Sequence, residues 1–243
     1  NKMFDSVDQY KLNNSYHFVS AEWQNNFSDK KINFIKSIIP MIISENHKIF
    51  IERKKLLEIK NILTLEKTLS NNNLNYINKV LKKYKILNKN KHKIDLVNEL
   101  LLNINIIPNS IVLAQAANES GWGTSRFAKD YNALFGQYTY DKTKGVIPSQ
   151  REVGKKHLIK NFASIEKSVE SYFKNINSHY AYQKFRKIRS EINDFENDFN
   201  IKILTNALDV YAEDEYYVET INNIIDSNNL NKLNIISNEF VNL

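Results

Sequence analysis

The sequence predicts an α+β fold that is mainly helical, with one small β-hairpin lobe. Over most of the chain, apolar residues recur every three or four positions, which is the spacing of an amphipathic helix. Between residues 135 and 162 this pattern gives way to glycine, proline and residues of high β propensity, which favour strands and turns. At 243 residues and 42% hydrophobic content, the chain is long enough to bury one substantial core.

The N-terminal third is predicted to be helical. Ile32, Ile35 and Ile39 begin an apolar stripe at helical spacing that continues to residue 57. Pro40 lies inside this stripe, and because proline has no backbone N–H, we expect a break or a kink near it. Residues 71–73 are asparagines and predict a turn before the next helix.

The middle of the chain contains the predicted lobe. A further apolar helix is expected over residues 95–104, and Pro108 opens the next helix at a position where a missing N–H costs little. The segment from Phe135 to Phe162 holds three of the five glycines and predicts the β-hairpin. Helices resume at Ile165, and we expect the hairpin to face the helix that follows Pro108 across a cleft.

The composition excludes several kinds of site. The chain has no cysteine, so a thiol nucleophile, a disulfide framework and a cysteine-ligated zinc are excluded. The five histidines show no ligand spacing, and we expect neither a metal nor a cofactor. There is no run of about 18 apolar residues, so no membrane-spanning segment is expected. Without a phosphate-binding loop or a nucleic-acid reader motif, nucleic acid is not an expected partner.

The charge is unevenly distributed within a formal net charge of +7. Residues 30–93 carry sixteen Lys or Arg against four Asp or Glu, whereas residues 191–243 carry two against eleven. A basic surface concentrates anionic partners, which predicts that residues 30–93 bind an anionic polymer. The alternative is a set of lysines that only keeps an amphipathic helical segment soluble.

The most unusual stretch is the motif at residues 114–123, Ala-Gln-Ala-Ala-Asn-Glu-Ser-Gly-Trp-Gly. It places the carboxyl group of Glu119 at the end of an apolar helix, just before Trp122 and its two flanking glycines. A carboxylic acid held against an indole in a partly dry pocket resists ionisation and can act as a general acid near neutral pH. The alternative is an exposed glutamate at a glycine-capped helix C-terminus, with Trp122 filling the core.

A family resemblance extends over roughly Lys30 to Ile225 and is carried by several matched stretches, residues 113–128, 132–137, 145–148, 151–152, 162–164, 168–172 and 211–217. In these stretches the chain resembles the glucosaminidase family, which is similar to glycoside hydrolase family 73. The resemblance is closest to its Bax-type branch of bacterial envelope proteins. It implies a lysozyme-like fold that cleaves the glycan of peptidoglycan after N-acetylglucosamine.

Glycoside cleavage needs a proton for the leaving oxygen and stabilisation of an oxocarbenium-like centre. We expect Glu119 to supply the proton. The resemblance places Glu152 where the family's Thr-Lys-Glu-Tyr strand has a glutamate, although the flanking residues differ here. Tyr211 matches the first tyrosine of the family's Tyr-Ala-Thr-Asp motif, with Glu213 in place of threonine. Alternatively, Glu152 is a solvent-facing strand residue and Tyr211 a buried aromatic whose hydroxyl is hydrogen-bonded.

Five further residues are expected to bind substrate or to shape the cleft: Gln115, Trp122, Asn132, Phe135 and Tyr217. Gln115 lies one helical turn before Glu119, where it can either orient the acid or fill the core. Trp122 can pack beneath a sugar or anchor the helix.

Three mechanisms remain open for Glu119. If Glu152 activates a water, the two carboxyl groups should lie about 6.5–9.5 Å apart and the anomeric centre should invert, whereas a direct nucleophile needs about 5–5.5 Å. In the third mechanism the 2-acetamido group of the substrate is the nucleophile and the Tyr211 hydroxyl polarises it. We favour this route because Tyr211 lies in the better-matched motif.

We expect four segments: an N-terminal tail (1–29), a basic helical extension packed on the catalytic domain (30–93), the glucosaminidase domain (94–225) and a C-terminal tail (226–243). The expected function is an endo-β-N-acetylglucosaminidase acting on peptidoglycan glycan strands. A lytic transglycosylase, a non-catalytic glycan-binding envelope protein and an endoglycosidase of glycoproteins remain alternatives. We expect an exported monomer of the bacterial envelope, whose signal or anchor lies outside this sequence.

Overall fold

The computed structural model describes residues 28–87, 91–147 and 157–234, and within these ranges the protein is mainly helical with one small sheet. This confirms the predicted α+β class. The α-helices are α1 (Asp29–Thr64), α2 (Asn71–Tyr84), α3 (Lys93–Asn103), α4 (Asn109–Ser120), α5 (Arg126–Tyr131), α6 (Ile165–Ser178), α7 (Gln183–Glu191), α8 (Asp198–Thr205) and α9 (Tyr217–Ser227). Short 3₁₀ helices cover Tyr180–Tyr182, Asn206–Leu208 and Leu230–Asn234.

Helix α1 runs without interruption through Pro40. The proline removes one backbone hydrogen bond, but Ile38, Ile39 and Ile42 around it are buried in the core. This packing keeps the helix continuous, since tertiary contacts supply most of the stability of a helix in a protein. The break considered at Pro40 is therefore wrong.

Helix α2 begins earlier than the sequence suggested. The Ser70 hydroxyl accepts a hydrogen bond from the backbone N–H of Asn73 at 3.2 Å, which caps the helix. Asn71–Asn73 therefore form the first turn of α2, and the turn predicted for these residues is wrong.

The predicted β lobe is a three-stranded antiparallel sheet of very short strands. β1 (Tyr138–Thr139) and β2 (Gly145–Val146) both pair with β3 (Leu158–Lys160), so the order is β1-β3-β2. Tyr138 is paired with Ile159, and Gly145 with Lys160. The segment 148–156, which connects β2 to β3, lies outside the described residues.

Helix α4 lies at the centre of the core. Its residues from Ile111 to Ala117 are each at most 1% exposed. Helices α1 and α9 and the 3₁₀ helix Leu230–Asn234 all pack against it. The basic segment 30–93 thus shares one core with residues 94–225, and the boundary expected at residue 225 falls inside α9.

Buried asparagines fix the start of α4. The Asn46 side chain accepts from the backbone N–H of Ile107 at 2.9 Å and donates to the side chain of Asn109 at 2.9 Å. Asn234 accepts from the backbone N–H of Ser110 at 2.9 Å. The first N–H groups of a helix have no partner within it, so these bonds tie α4 to α1 and to the C-terminal 3₁₀ helix. None of the described helices is both long and apolar enough to cross a bilayer.

Candidate active site

Glu119 is the penultimate residue of α4 and precedes a tight turn. Gly121 adopts a left-handed conformation with φ of +58°, and the Trp122 N–H donates to the Ala117 carbonyl at 2.8 Å, which closes the helix end. The Ser120 hydroxyl accepts from the N–H of Gly123 at 2.8 Å. These two hydrogen bonds fix the turn that directly follows Glu119.

The Glu119 carboxyl is packed closely against the backbone of Gly136. A Cβ added to Gly136 would lie 2.8 Å from Glu119 Oε2. The Asn118 side-chain amide donates to Oε1 at 3.4 Å. Burial raises the pKa of Glu119 above its ordinary value, while the polar groups of Asn118 and Tyr217 act in the opposite direction. The end of a helix works in the same direction as burial, because its carbonyls disfavour an anion.

A buried polar chain joins three residues of the core. The Tyr172 hydroxyl donates to Gln115 Oε1, and Gln115 Nε2 donates to the Tyr217 hydroxyl at 2.7 Å. The side chains of Gln115 and Tyr172 are fully buried, and Tyr217 is 3% exposed. Gln115 and Tyr217 thus contact each other, and their expected binding of substrate stays a prediction.

Tyr211 lies beside this chain. Its ring stacks on that of Tyr217 at 5.5 Å with an interplanar angle of 8°, and its hydroxyl donates to the Phe135 carbonyl at 2.9 Å. Burial raises the pKa of Tyr211 well above its ordinary value, so the phenol remains protonated. Since Phe135 precedes Gly136, Tyr211 anchors the backbone that touches Glu119.

The indole of Trp122 is turned toward α1. Its ring meets Phe34 edge-on at 5.7 Å, and Lys31 Nζ lies 4.7 Å above it. Trp122 itself has a left-handed φ of +58°. Trp122 therefore anchors the motif turn to the N-terminal helix, and its role in the substrate cleft stays a prediction.

Phe135 and Asn132 support the site from beneath. Phe135 is 1% exposed and stacks on Tyr172 at 4.2 Å. Asn132 ends α5 in a left-handed conformation, and its side chain donates to the Phe162 carbonyl at 2.9 Å, which links α5 to the start of α6 beyond the sheet. Binding of substrate by Phe135 and Asn132 stays a prediction.

Glu152, the predicted second carboxylate, lies outside the described residues. Tyr182, whose ring lies 6.1 Å from that of Tyr211 and whose pKa is influenced by Glu119, was not predicted. It lies in no matched motif, so no sequence signal pointed to it. Tyr172 lies in the matched range 168–172, but the sequence assigned it no role in the site. Among the described residues, no group of three or more His, Asp or Glu could hold a metal ion.

Comparison with known proteins decides the family. Residues 94–230 match the sequence profile of the family Glucosaminidase, described as mannosyl-glycoprotein endo-beta-N-acetylglucosaminidase. The chain belongs to the glucosaminidase family. The matched range contains α4, Tyr211 and Tyr217.

A curated relative supports the Bax-type resemblance. The chain is 32% identical over 184 residues to protein bax of Escherichia coli. The aligned region covers 75% of this chain and 64% of that protein. The chain thus spans less than two thirds of the length of this relative. Among solved structures, the catalytic domain of the autolysin Auto from Listeria monocytogenes is similar at 19% identity, with a TM-score of 0.48 over 92% of this chain and 96% of that one.

Proposed function

We propose that this protein is an endo-β-N-acetylglucosaminidase that cleaves peptidoglycan glycan strands, with Glu119 as its general acid. The observation that carries the proposal is the Glu119 carboxyl, which is partly desolvated against Gly136 and lies within the range that matches the family. Such a carboxyl keeps its proton to higher pH than an exposed glutamate does, so it can protonate the glycosidic oxygen as the bond breaks.

Tyr211 suits the substrate-assisted route. Its proton is used in the hydrogen bond to the Phe135 carbonyl, which leaves lone pairs on the phenol oxygen. If this oxygen accepts from the N–H of the substrate's 2-acetamido group, the acetamide oxygen becomes a better nucleophile toward the anomeric carbon. This role differs from direct polarisation by the phenol proton, and it needs no second protein carboxylate.

The acid is tested with Glu119→Gln on purified sacculi. A general acid contributes about 10²–10⁴-fold, so release of soluble muropeptides should fall by that factor while the protein remains folded. Glu191→Gln, which changes an exposed carboxyl at the end of α7, is the matched control and should behave as wild type. Turnover near the wild-type rate by folded Glu119→Gln would refute the role of Glu119 as the general acid.

The substrate-assisted route is tested through stereochemistry. It predicts net retention at the anomeric carbon by NMR, and a Tyr211→Phe variant at least as impaired as Glu152→Gln. Inversion together with an inactive Glu152→Gln would instead support two carboxylates with a water between them.

Location and wall binding belong to the same proposal. A peptidoglycan hydrolase acts in the bacterial envelope, and the basic segment 30–93 would help to hold it on anionic wall polymer. Lys79 and Lys82 are exposed on α2, so Lys79→Gln/Lys82→Gln should weaken binding to sacculi and its salt dependence. Lys184→Gln/Lys187→Gln, on exposed positions of α7, is the control. Equal binding by both double variants would show that these lysines serve only solubility.

A further inference from the structure

We propose that the protein has a binding site for a phosphate group where β3, α6 and the end of α2 meet. Its members are Lys160, Ser171, Lys174 and Lys85. Within the described residues, none of the three lysines forms an ion pair with a carboxylate. The site is separate from the residues assigned to glycan cleavage, and the inference does not depend on that function.

The centre of the site is a contact between a lysine and a serine. The Lys160 ammonium donates to Ser171 Oγ at 2.7 Å and lies 5.1 Å from the centre of the Phe162 ring. This bond uses one of the three ammonium hydrogens, and because Ser171 Oγ is the acceptor, the hydroxyl keeps its own hydrogen for another partner. Among the described residues, the other two ammonium hydrogens and the hydroxyl hydrogen have no acceptor. The pair therefore presents three donors, and the oxygens of an anion are their natural acceptors.

Contacts between the strand and the helix hold the two side chains in place before a ligand binds. The Lys160 N–H donates to the Gln137 carbonyl at 2.8 Å, and the Gln137 side chain donates to the Ser171 carbonyl at 3.3 Å. Tyr172, the residue after Ser171, is fully buried and stacks on Phe135 at 4.2 Å. Because β3 and α6 are fixed at this point, little ordering of the backbone is needed for binding.

Two more lysines border this pair. Lys174 lies three residues after Ser171 on α6, which places the two side chains on the same face of the helix. Lys85 ends α2 in a left-handed conformation, and α2 packs against α6. Both lysines are exposed, so the site is open to a phosphate carried by a polymer as well as to free phosphate.

The like charges raise the energy of the empty site. Burial lowers the pKa of Lys160 below its ordinary value, and three nearby ammonium groups lower it further. These groups belong to Lys174, Lys144 and Lys85. Within the described residues, Lys144 alone among them has a carboxylate partner, Asp141 at 3.1 Å. An anion offsets this repulsion, so its binding should raise the pKa of Lys160.

A phosphate suits the site better than a carboxylate does. A lysine ammonium is a compact point charge and lacks the planar fork with which an arginine matches a carboxylate. The oxygens of a phosphate point in several directions, so one phosphate can accept from Lys160 and Ser171 and still face Lys174.

The first test is a ¹³C NMR titration of the lysine ε-carbons with and without inorganic phosphate, at an ionic strength kept constant with NaCl. The signal that disappears in Lys160→Met is that of Lys160. Phosphate should move the titration of Lys160 to higher pH. It should leave that of Lys167 unchanged, because this exposed lysine of α6 is paired with Glu170 at 2.7 Å. An unchanged titration of Lys160 in excess phosphate would overturn the proposal.

The second test compares the affinities of variants for inorganic phosphate by calorimetry. Lys160→Met should weaken binding about tenfold or more, since it removes a hydrogen bond to a charged group. Ser171→Ala and Lys174→Gln should weaken it by smaller factors, whereas Lys167→Gln, which removes the same charge from the same helix, should bind as wild type does. Ser171→Ala deletes only a hydroxyl, so it keeps the test available if Lys160→Met does not fold. Equal affinities of Lys174→Gln and Lys167→Gln would show attraction by net charge alone and would overturn the proposal.

A second ligand identifies the source of the phosphate. Tighter binding of poly(glycerol phosphate) than of inorganic phosphate, per phosphate group and dependent on Lys174, would identify a phosphodiester polymer. Equal affinity per phosphate group would identify free phosphate. None of these measurements involves glycan cleavage, so a protein that cleaves no glycan would refute the proposed function and leave the phosphate site standing. Binding of neither ligand by the folded protein would refute the site and leave the proposed function standing.

Discussion

Replacing Gly136 by alanine would place a methyl group against the proposed acid. The new Cβ would lie 2.8 Å from Glu119 Oε2, whereas ordinary van der Waals contact begins near 3.4 Å. The carboxyl would therefore have to move by about 0.6 Å. Because the obstructing atom is the end of a flexible side chain, this movement costs little stability, but it displaces the proton donor.

Gly121 provides a matched control for the backbone effect. Both glycines have φ of +58°, a conformation that costs an alanine about 1–2 kcal/mol. A Cβ at Gly121 would meet the Thr124 hydroxyl at 3.3 Å and does not approach Glu119. The two substitutions thus share the backbone penalty and differ in their effect on the carboxyl.

Both variants are compared by urea unfolding and by muropeptide release from sacculi. We expect similar losses of about 1–2 kcal/mol in the free energy of unfolding. Only Gly136→Ala should also lose turnover, by up to about 10²-fold, since displacement of a reacting group by about 1 Å can cost that much. If Gly136→Ala cleaves as fast as Gly121→Ala, the close packing of Gly136 on Glu119 does not position the acid.

Three further changes have defined outcomes. Gly123→Ala should lower the free energy of unfolding by more than the ~1–2 kcal/mol that an alanine loses in a left-handed conformation, because its Cβ would also lie 2.9 Å from the Phe34 ring. A smaller loss in urea unfolding would contradict the packing of Phe34 against Gly123. Glu119→Gln should be more stable than wild type near neutral pH. Burial raises the native pKa of Glu119, so the native state binds this proton more tightly than the unfolded chain and loses stability as pH rises toward that pKa. The difference in urea unfolding should vanish below the unfolded value of about 4.3, and equal stability at all pH would refute the burial of the carboxyl. Arg189→Met should lower the free energy of unfolding by about 3 kcal/mol or more, because the buried guanidinium donates to carbonyls at the end of α3 and just after it, including those of Asn103 at 2.9 Å and Ile106 at 3.2 Å. A loss under about 1 kcal/mol would show that these carbonyls find other donors.

The sequence predicted the fold class because helical periodicity and glycine placement are local signals. The first helix was recognisable from its isoleucines, and the lobe from its glycines. The break at Pro40 and the turn at residues 71–73 were wrong for two reasons. Packing of α1 against the core outweighs the preference of proline, and the Ser70 cap extends α2 into a stretch that alone favours a turn.

The candidate site was predictable only in part. The motif marked Glu119, and the resemblance marked Tyr211 and Tyr217. The bond between Gln115 and Tyr217 joins residues 102 positions apart, and no local pattern encodes it. The orientation of Trp122 depends on α1, whose packing on the motif turn is a tertiary contact.

The central claim is tested most directly by mass spectrometry of the muropeptides that the protein releases from purified sacculi. The account predicts products that end in a reducing N-acetylglucosamine, released by wild type and at least about 10²-fold less by Glu119→Gln. Products ending in an anhydro sugar would identify a lytic transglycosylase. Binding to sacculi with no released product, under conditions where the protein is folded, would contradict the account outright.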